Sequence, residues 1–583
     1  MKLTAEQRNA VYHDGHAVVV ACPGSGKTRA IIARLLRSVD MIRDSPRRVA
    51  CITYTNTAVH EIENRIRTYG AAGDDEYCDV STIHSFCQNN ILRHYHWKLP
   101  QFSEGVTVLP SDSDEYRALV DEIGDEYGLN SFTRQQFESL NRRPNGDPIT
   151  SLPHDAAIQF WNRLEANGYV DFCNLVYYSY RILLENPHIV RGLAARYAFI
   201  LVDEFQDTSA LQVELLSLIA NEGVTTFFLV GDPEQSIYRF AGAERELMAT
   251  FADEIGAEEF PLSGNFRSST PVIERAETLI PRIPTMFAVG DAAAFTEEPV
   301  HRHVENHFVG IADHFLPTLD GLGIPLGDAA ILAPVWYQLM PLGRLLRNYG
   351  VAVVGPGARP YKKGTHLFVG LAEQACAFID NPRSVPIRQV EREVFSCLQN
   401  VTGKADFRVF TFEGRRTVSR LLRQAALLKQ QHIGAVAWLN AASGAFAEVL
   451  HDDGFLPKHC MSLLTESAAD IVRDMESQKD VDVANLTTSD LGMFANPADN
   501  LKLLTMHGAK GREFSAVAVI GLHDGQVPYH NRHNPLTADG LDESRRLMYV
   551  SVTRAKRLLV LLTDAEDYRP ASPFLAEMGF SVS

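Results

Sequence analysis

Polarity along the chain changes period several times, and each change predicts an element. AVVVA, residues 17–21, is a short β-branched run, and RAIIARLLRSV, residues 29–39, repeats its apolar residues at helical spacing. The octapeptide ACPGSGKT, residues 21–28, joins them, so the pattern predicts strand, loop and helix. At 199–202 the run FILV ends abruptly in Asp203 and Glu204, as expected at the carboxyl end of a central parallel strand. LGDAAILAPV at 326–335 and LKLLTMH from 501 predict strands of a second sheet. Residues 89–175 hold SDSDEYRALVDEIGDEYG and AAIQFWNRLEANGYVDF, apolar at every third or fourth position, which predicts a small helical insertion. Residues 356–496 open at the turn-rich GPGARPYKKG and continue with segments such as RTVSRLLRQAALLKQQ, a second insertion. The expected fold class is α/β, with one parallel sheet over 1–88 and 176–264 and another over 265–355 and 497–583, each interrupted by a mainly helical insertion. At roughly 150 residues per domain, length also suggests about four domains.

The octapeptide carries chemistry. After a strand and before a helix, the loop Pro23, Gly24, Ser25, Gly26 can cradle phosphate oxygens on backbone N–H groups at a helix N-terminus. Lys27 can neutralise β- and γ-phosphate charge, the Thr28 hydroxyl can ligate Mg²⁺, and Arg29 belongs to the same nucleotide site. The strict pattern opens with glycine, where this chain has Ala21. GSGKT in a loop also arises by chance; the acid pair decides between the readings. Asp203 can hold Mg²⁺ through water, and Glu204 can polarise the water that attacks the γ-phosphate. An NTPase is the minimum reading.

Composition narrows the rest. Hydrophobic residues make up 45% and charged residues 22%, as in an ordinary globular protein, and no run reaches the roughly 20 apolar residues of a membrane span. The N-terminal stretch has no secretory-signal pattern, so the cytoplasm is the expected location and no membrane partner is expected. Eight cysteines occur without a CxxC, which suggests reduced structural thiols. A net charge of −17 argues against wholesale coating of nucleic acid, although a local groove can still be positive. HRHVENH at 301–307 and HNRHN at 530–534 lack cysteine or carboxylate partners at zinc spacing and are read as solvated loops.

Nine segments in order resemble the superfamily 1 DNA helicases of the UvrD, Rep and PcrA type, from residue 3 to about 575. Besides the phosphate loop and FILVDEFQDT, they are LTAEQRNAV at 3–11, ITYTNTAVHEIENR at 52–65, VSTIHSFC at 80–87, VGDPEQSIYRFAGA at 230–243, LSGNFRSS at 262–269, LLTMHGAKGREF at 503–514 and RRLMYVSVTRAKRLLVL at 545–561. The resemblance implies two RecA-like parallel-sheet domains and a requirement for ATP and Mg²⁺. It implies that Gln7 reads the adenine edge, that Phe266 stacks on the base, that Glu513 meets the ribose and that Gln235 senses the γ-phosphate. Arg267 and Arg554 stand at the places of the family's two arginine fingers, which supply positive charge to the transferring phosphoryl group. For strand contact it points to Tyr54, Asn56, Thr82, His84, Tyr238, Phe240 and His507, since single strands are held by aromatic stacking and by cationic and amide groups along the backbone. Tyr238 is equally readable as core packing. Two departures stand out: Ala241 where the family often has arginine, and Arg512 where it usually has leucine.

The implied function is an ATP-dependent 3′–5′ single-stranded DNA translocase and helicase acting on single strands and ss/ds junctions, with closure of the two sheet domains around nucleotide driving each step. An alternative stays open. The chain is compact, its second insertion looks short and little follows the last motif, so a DNA-sensing ATPase subunit serving a partner nuclease, as in compact phage-defence relatives such as Gabija, also fits.

Overall fold

A computed structural model describes residues 2–237, 245–361, 366–383, 385–402, 409–432, 434–478, 482–495, 497–532 and 535–581. The chain divides into two compact units, Met1–Thr296 with Asp542–Tyr549, and Glu297–Leu541 with Val550–Ser583.

The first unit is organised by a six-stranded sheet of β1 (Ala17–Ala21), β2 (Arg48–Thr53), β3 (Cys78–Thr82), β4 (Tyr197–Val202), β5 (Thr226–Gly231) and β6 (Glu258–Leu262). Its spatial order is β6-β1-β5-β4-β2-β3, and every pair is parallel. Alternate residues feed separate cores: Val19 and Leu201 lie on one face, Val18 and Ile200 on the other. Burial on both faces explains the unbroken apolar runs, because parallel strands covered by helices have no solvated side to make polar. The insertion packs the helices Asp114–Glu126 and His154–Ala166 around Phe137, Phe160 and Trp161, with two short two-stranded ladders. Arg142, on one of those ladders, lies 3.9 Å from the Trp161 ring centroid and 4.4 Å from that of Tyr177, a stacked cation inside the core. The helix Phe172–Glu185 runs straight through the position where the sequence places the return from the insertion.

The first unit also extends past Asn265, where the sequence places the change of domain. The segment is tied down locally. Phe266 N–H donates to Gly24 O at 2.9 Å, Val289 N–H donates to Asn265 O at 2.8 Å, and Gly264–Asn265 pairs with Phe287–Ala288.

The second unit carries β7 (Val300–Val304), β8 (Ala329–Ala333), β9 (Val353–Val354), β10 (Leu501–Thr505), β11 (Phe514–Val519) and β12 (Ala555–Asp564). They form a second parallel sheet of order β7-β12-β11-β8-β10-β9. Between β9 and β10 the chain is helical, including Val369–Asp380, Ile387–Thr402, Phe412–Gln431, Ala435–Asp452 and Met461–Ser477, packed around residues such as Trp438 and Phe446. Two six-stranded parallel sheets with helical insertions make the expected α/β architecture of two RecA-like domains. The loop reading of 301–307 is corrected: His301 and His303 stand on β7 and bond the Thr563 hydroxyl, while His307 and His523 both reach Asp564, at 2.7 and 3.3 Å. Among the described residues no helix is long and apolar enough to cross a membrane, and no group of three or more His, Cys, Asp or Glu is placed to hold a metal ion.

Candidate active site

The phosphate loop leaves β1 at Ala21, which pairs in register with Leu262. Being the last strand residue, it needs no glycine, which accounts for the departure from the strict pattern. Gly24 and Gly26 adopt left-handed backbone, φ 70° and 79°. A Cβ on Gly24 would stand 2.5 Å from Asn265 Oδ1 and 2.6 Å from Arg267 Cβ, and one on Gly26 would stand 2.7 Å from Gln7 Nε2. The loop is therefore moulded against both Arg267 and Gln7. Helix Lys27–Ile42 begins at Gly26 with no side chain capping it, and the buried Ser25 hydroxyl has no hydrogen-bond partner among the described residues. First-turn N–H groups, the positive end of the helix dipole and an unsatisfied hydroxyl all face the needs of an anionic ligand. The residues present fit a nucleotide phosphate.

Across the loop stand the two acids at the end of β4. Asp203 N–H donates to Ile52 O at 2.8 Å, and its Oδ1 accepts the Glu204 N–H at 3.0 Å. Burial, and next the charge of Glu204, push the Asp203 carboxyl well above the ordinary carboxylate range, against the pull of Lys27. Glu204 is the single non-glycine residue with positive φ among the described residues, at 50°. Such backbone costs on the order of 1–2 kcal/mol and persists where surroundings enforce it. Here the enforcing contacts are Gln206 Nε2, donating to Glu204 Oε2 at 2.6 Å, and Lys27 Nζ, 3.7 Å from the same oxygen.

Three further elements stand around the loop. Gln7 sits in the helix Ala5–Tyr12, reciprocally capped with Thr4, and its Nε2 donates to Ser25 O at 2.9 Å while its Oε1 accepts from Thr4 N–H. Its amide is thus turned to the loop. Phe266 is 36% exposed, and the Arg29 guanidinium lies 5.6 Å from its ring centroid, leaving a partly open aromatic face beside the loop. Arg267 follows directly, with its N–H on Asn265 Oδ1 at 2.8 Å. Gln235, almost fully buried, donates through Nε2 to Asp232 Oδ2 at 2.5 Å.

The strand candidates divide. Thr53 of β2 and Thr82 of β3 are register partners, so Tyr54, Asn56, Thr82 and His84 gather at one carboxyl edge. Tyr54 is 41% exposed and lines one small cavity together with Asp203 and Glu204. Thr82 caps the short helix Ile83–Cys87 by accepting from Ser85 N–H at 3.2 Å, and burial pulls the pKa of His84 down. Tyr238 and Phe240 lie outside the described residues. In the second unit, His507 opens the turn after β10, its pKa lowered by burial and by Lys510. Glu513 pairs with Lys556 at 2.8 Å. Arg554 is buried, its Nε donating to Val550 O at 2.9 Å and its Nη1 to Arg512 O at 3.2 Å.

Sequence reasoning missed Arg282. It pairs with the buried Asp232, and its Nε donates to Tyr549 Oη at 2.7 Å. No motif or periodicity marks it.

A moulded phosphate loop at the end of a parallel strand, with an acid pair at the end of the next strand but one in the same sheet, defines a P-loop NTPase. Residues 3–256 match the UvrD/REP helicase N-terminal domain, and residues 465–566 the UvrD-like helicase C-terminal domain. The chain is similar to ATP-dependent DNA helicase Rep of Buchnera aphidicola subsp. Acyrthosiphon pisum, 23% identical over 96% of this chain and 94% of the relative. It is 26% identical to DNA helicase II of Escherichia coli, over 99% of this chain and 87% of the relative, and 26% identical to ATP-dependent DNA helicase UvrD1 of Mycobacterium leprae, over 96% and 82%. The chain belongs to the UvrD/Rep helicase family: it is an enzyme, an ATP-dependent helicase.

Proposed function

We propose that the enzyme hydrolyses ATP to move 3′ to 5′ along single-stranded DNA and to separate duplex at ss/ds junctions. The observation that carries this reading is the shared edge of β2, β3 and β4, where exposed Tyr54 lines the same cavity as the catalytic acids Asp203 and Glu204. A base stacked on Tyr54 and a water activated by Glu204 then occupy neighbouring places, so strand occupancy and hydrolysis influence each other. Lys27 and the first-turn N–H groups hold the phosphates, Phe266 and Arg29 flank the base, and Gln7 fixes the loop from behind. Glu204 orients and deprotonates the attacking water, Gln235 registers the γ-phosphate, and Arg267 and Arg554 supply transition-state charge. Mg²⁺, when bound with nucleotide, neutralises phosphate charge, and Thr28 with Asp203 is the hydroxyl and carboxylate pair that would hold it. Asn56, Thr82, His84, Tyr238, Phe240 and His507 complete the proposed strand track, and residues 89–175 and 356–496 are the proposed insertions.

The test is ATP turnover with and without single-stranded DNA, alongside strand separation on 3′-tailed, 5′-tailed and blunt duplexes, for the native enzyme, Lys27→Ala and Glu204→Gln. Strong stimulation, preference for the 3′ tail and near-silence of both variants are expected. Unstimulated turnover, or activity surviving either substitution, refutes the reading. Stimulated turnover without strand separation restricts it to translocation.

A further inference from the structure

The polar groups around the acid pair form one unbroken chain. Glu204 Oε2 accepts from Gln206 Nε2 at 2.6 Å, and Gln206 Oε1 accepts the Asp232 N–H at 2.8 Å. Asp232 Oδ2 accepts from Gln235 Nε2 at 2.5 Å, its Oδ1 is paired with Arg282, and Arg282 Nε donates to Tyr549 Oη at 2.7 Å. Asp232 and Tyr549 are fully buried, and the Arg282 side chain is 10% exposed. Tyr549 belongs to the helix Ala538–Val552, and three residues before it Arg546 Nε donates to Ser236 O at 2.9 Å, next to Gln235. The general base and the γ-phosphate sensor are therefore joined through Asp232, and the Arg282 guanidinium carries that side-chain path on to Tyr549 of this helix.

A buried carboxylate is tolerated only when paired and hydrogen-bonded. Asp232 meets that condition through Arg282, and although burial disfavours the Arg282 charge, Asp232 more than restores it and raises its pKa. The planar fork matters as much as the charge. One guanidinium holds Asp232 through Nη2 and Tyr549 through Nε, which a lysine ammonium, with its donors all on one nitrogen, does not reproduce.

We infer that Arg282 is a positioning residue for ATP hydrolysis: by fixing Asp232 it sets Gln235 directly and Glu204 through Gln206, and it makes their placement depend on Tyr549. It acts on groups that meet the γ-phosphate and the attacking water, not on the loop that grips the nucleotide. Loss of it should lower turnover rather than affinity. The inference rests on the function proposed above.

The test uses Arg282→Lys, Tyr549→Phe, their double variant and the harsher Arg282→Ala, in the full-length enzyme. For each, kcat and KM for ATP are measured at saturating single-stranded DNA, with nucleotide affinity from direct titration, counts of competent sites and thermal midpoints. Arg282→Lys and Tyr549→Phe should each lower kcat per competent site about tenfold, about one hydrogen bond's contribution, with nucleotide affinity within about threefold of native. The double variant should be no slower than the slower single, because both cut the same path. Native kcat per site in either single variant, or losses that multiply in the double, overturns the assignment. Should the Arg282 variants fail to fold, Tyr549→Phe, which removes one oxygen, decides alone. A native enzyme without DNA-stimulated turnover overturns the functional reading instead; stimulated native turnover with unaffected variants overturns only the role of Arg282.

Discussion

Replacing Gly24 by alanine should disable nucleotide use far more than any other Gly→Ala change in the loop. The backbone there has φ 70°, which costs a residue with a Cβ about 1–2 kcal/mol. The new methyl would also lie 2.5 Å from Asn265 Oδ1 and 2.6 Å from Arg267 Cβ, too close for either to stay. Asn265 Oδ1 accepts the N–H groups of Arg267 at 2.8 Å and Ser268 at 2.9 Å, bonds of about 1 kcal/mol each. With partial relaxation the penalty on the competent loop is about 3 kcal/mol, roughly a 150-fold loss in kcat/KM for ATP. Gly26→Ala pushes instead on the end of the Gln7 side chain, 2.7 Å away, which can swing, so its loss should be smaller. Gly73→Ala, at φ 89° with nothing within 4 Å, isolates the backbone term far from the loop and should shift thermal stability alone. The assay is steady-state ATP turnover with single-stranded DNA across the three variants. A Gly24→Ala enzyme within fivefold of native, or one less affected than Gly26→Ala, refutes the reading that the loop is moulded on Asn265 and Arg267.

Phe266→Ala removes the partly open ring beside Arg29 and should weaken ATP binding about tenfold in a nucleotide titration, with kcat at saturation changed less; unchanged affinity places the base elsewhere. Tyr54→Ala should weaken single-stranded DNA binding about tenfold or more, with the dependence of binding on salt unaltered, because a stacking face rather than a phosphate contact is lost. A changed salt slope would contradict that. Asp171, buried, caps the helix Phe172–Glu185 by accepting Asn174 N–H at 2.7 Å, and burial pushes its pKa up to about 6. A carboxyl raised in the folded state favours folding less as pH climbs from about 4 through 6. Asp171→Asn keeps the capping oxygen and removes the titration, so it should add about 3 kcal/mol of stability at pH 8 and almost none at pH 4 in pH-resolved unfolding. Equal gains at both pH values would show that the charge is not what burial penalises.

Much of the nucleotide site is legible in the sequence because it is local. A strand, a glycine loop and a helix occupy contiguous residues, and burial on both faces of β1 and β4 writes itself as unbroken apolar runs ending in Asp203 and Glu204. What escaped is long-range. Arg282 meets Asp232 across 50 residues of chain and Tyr549 across 267, with no periodicity to announce either contact. Nothing in the sequence around Arg142 announces the Trp161 and Tyr177 rings that the fold brings to it. Asn265 and Phe266 look like the start of a new domain, yet hydrogen bonds to Val289 and Gly24 bind them to the first unit. The histidines at 301 and 303 look like loop residues because the apolar neighbours that make β7 a strand come from β12.

The 3.7 Å approach of Lys27 to Glu204 bears on how a substitution at Lys27 is read. On the function proposed above, one ammonium faces both the anion it would bind and the carboxylate that would serve as base, so its replacement by alanine withdraws a cation from two partners at once. The loss in Lys27→Ala should then exceed what a phosphate contact alone accounts for.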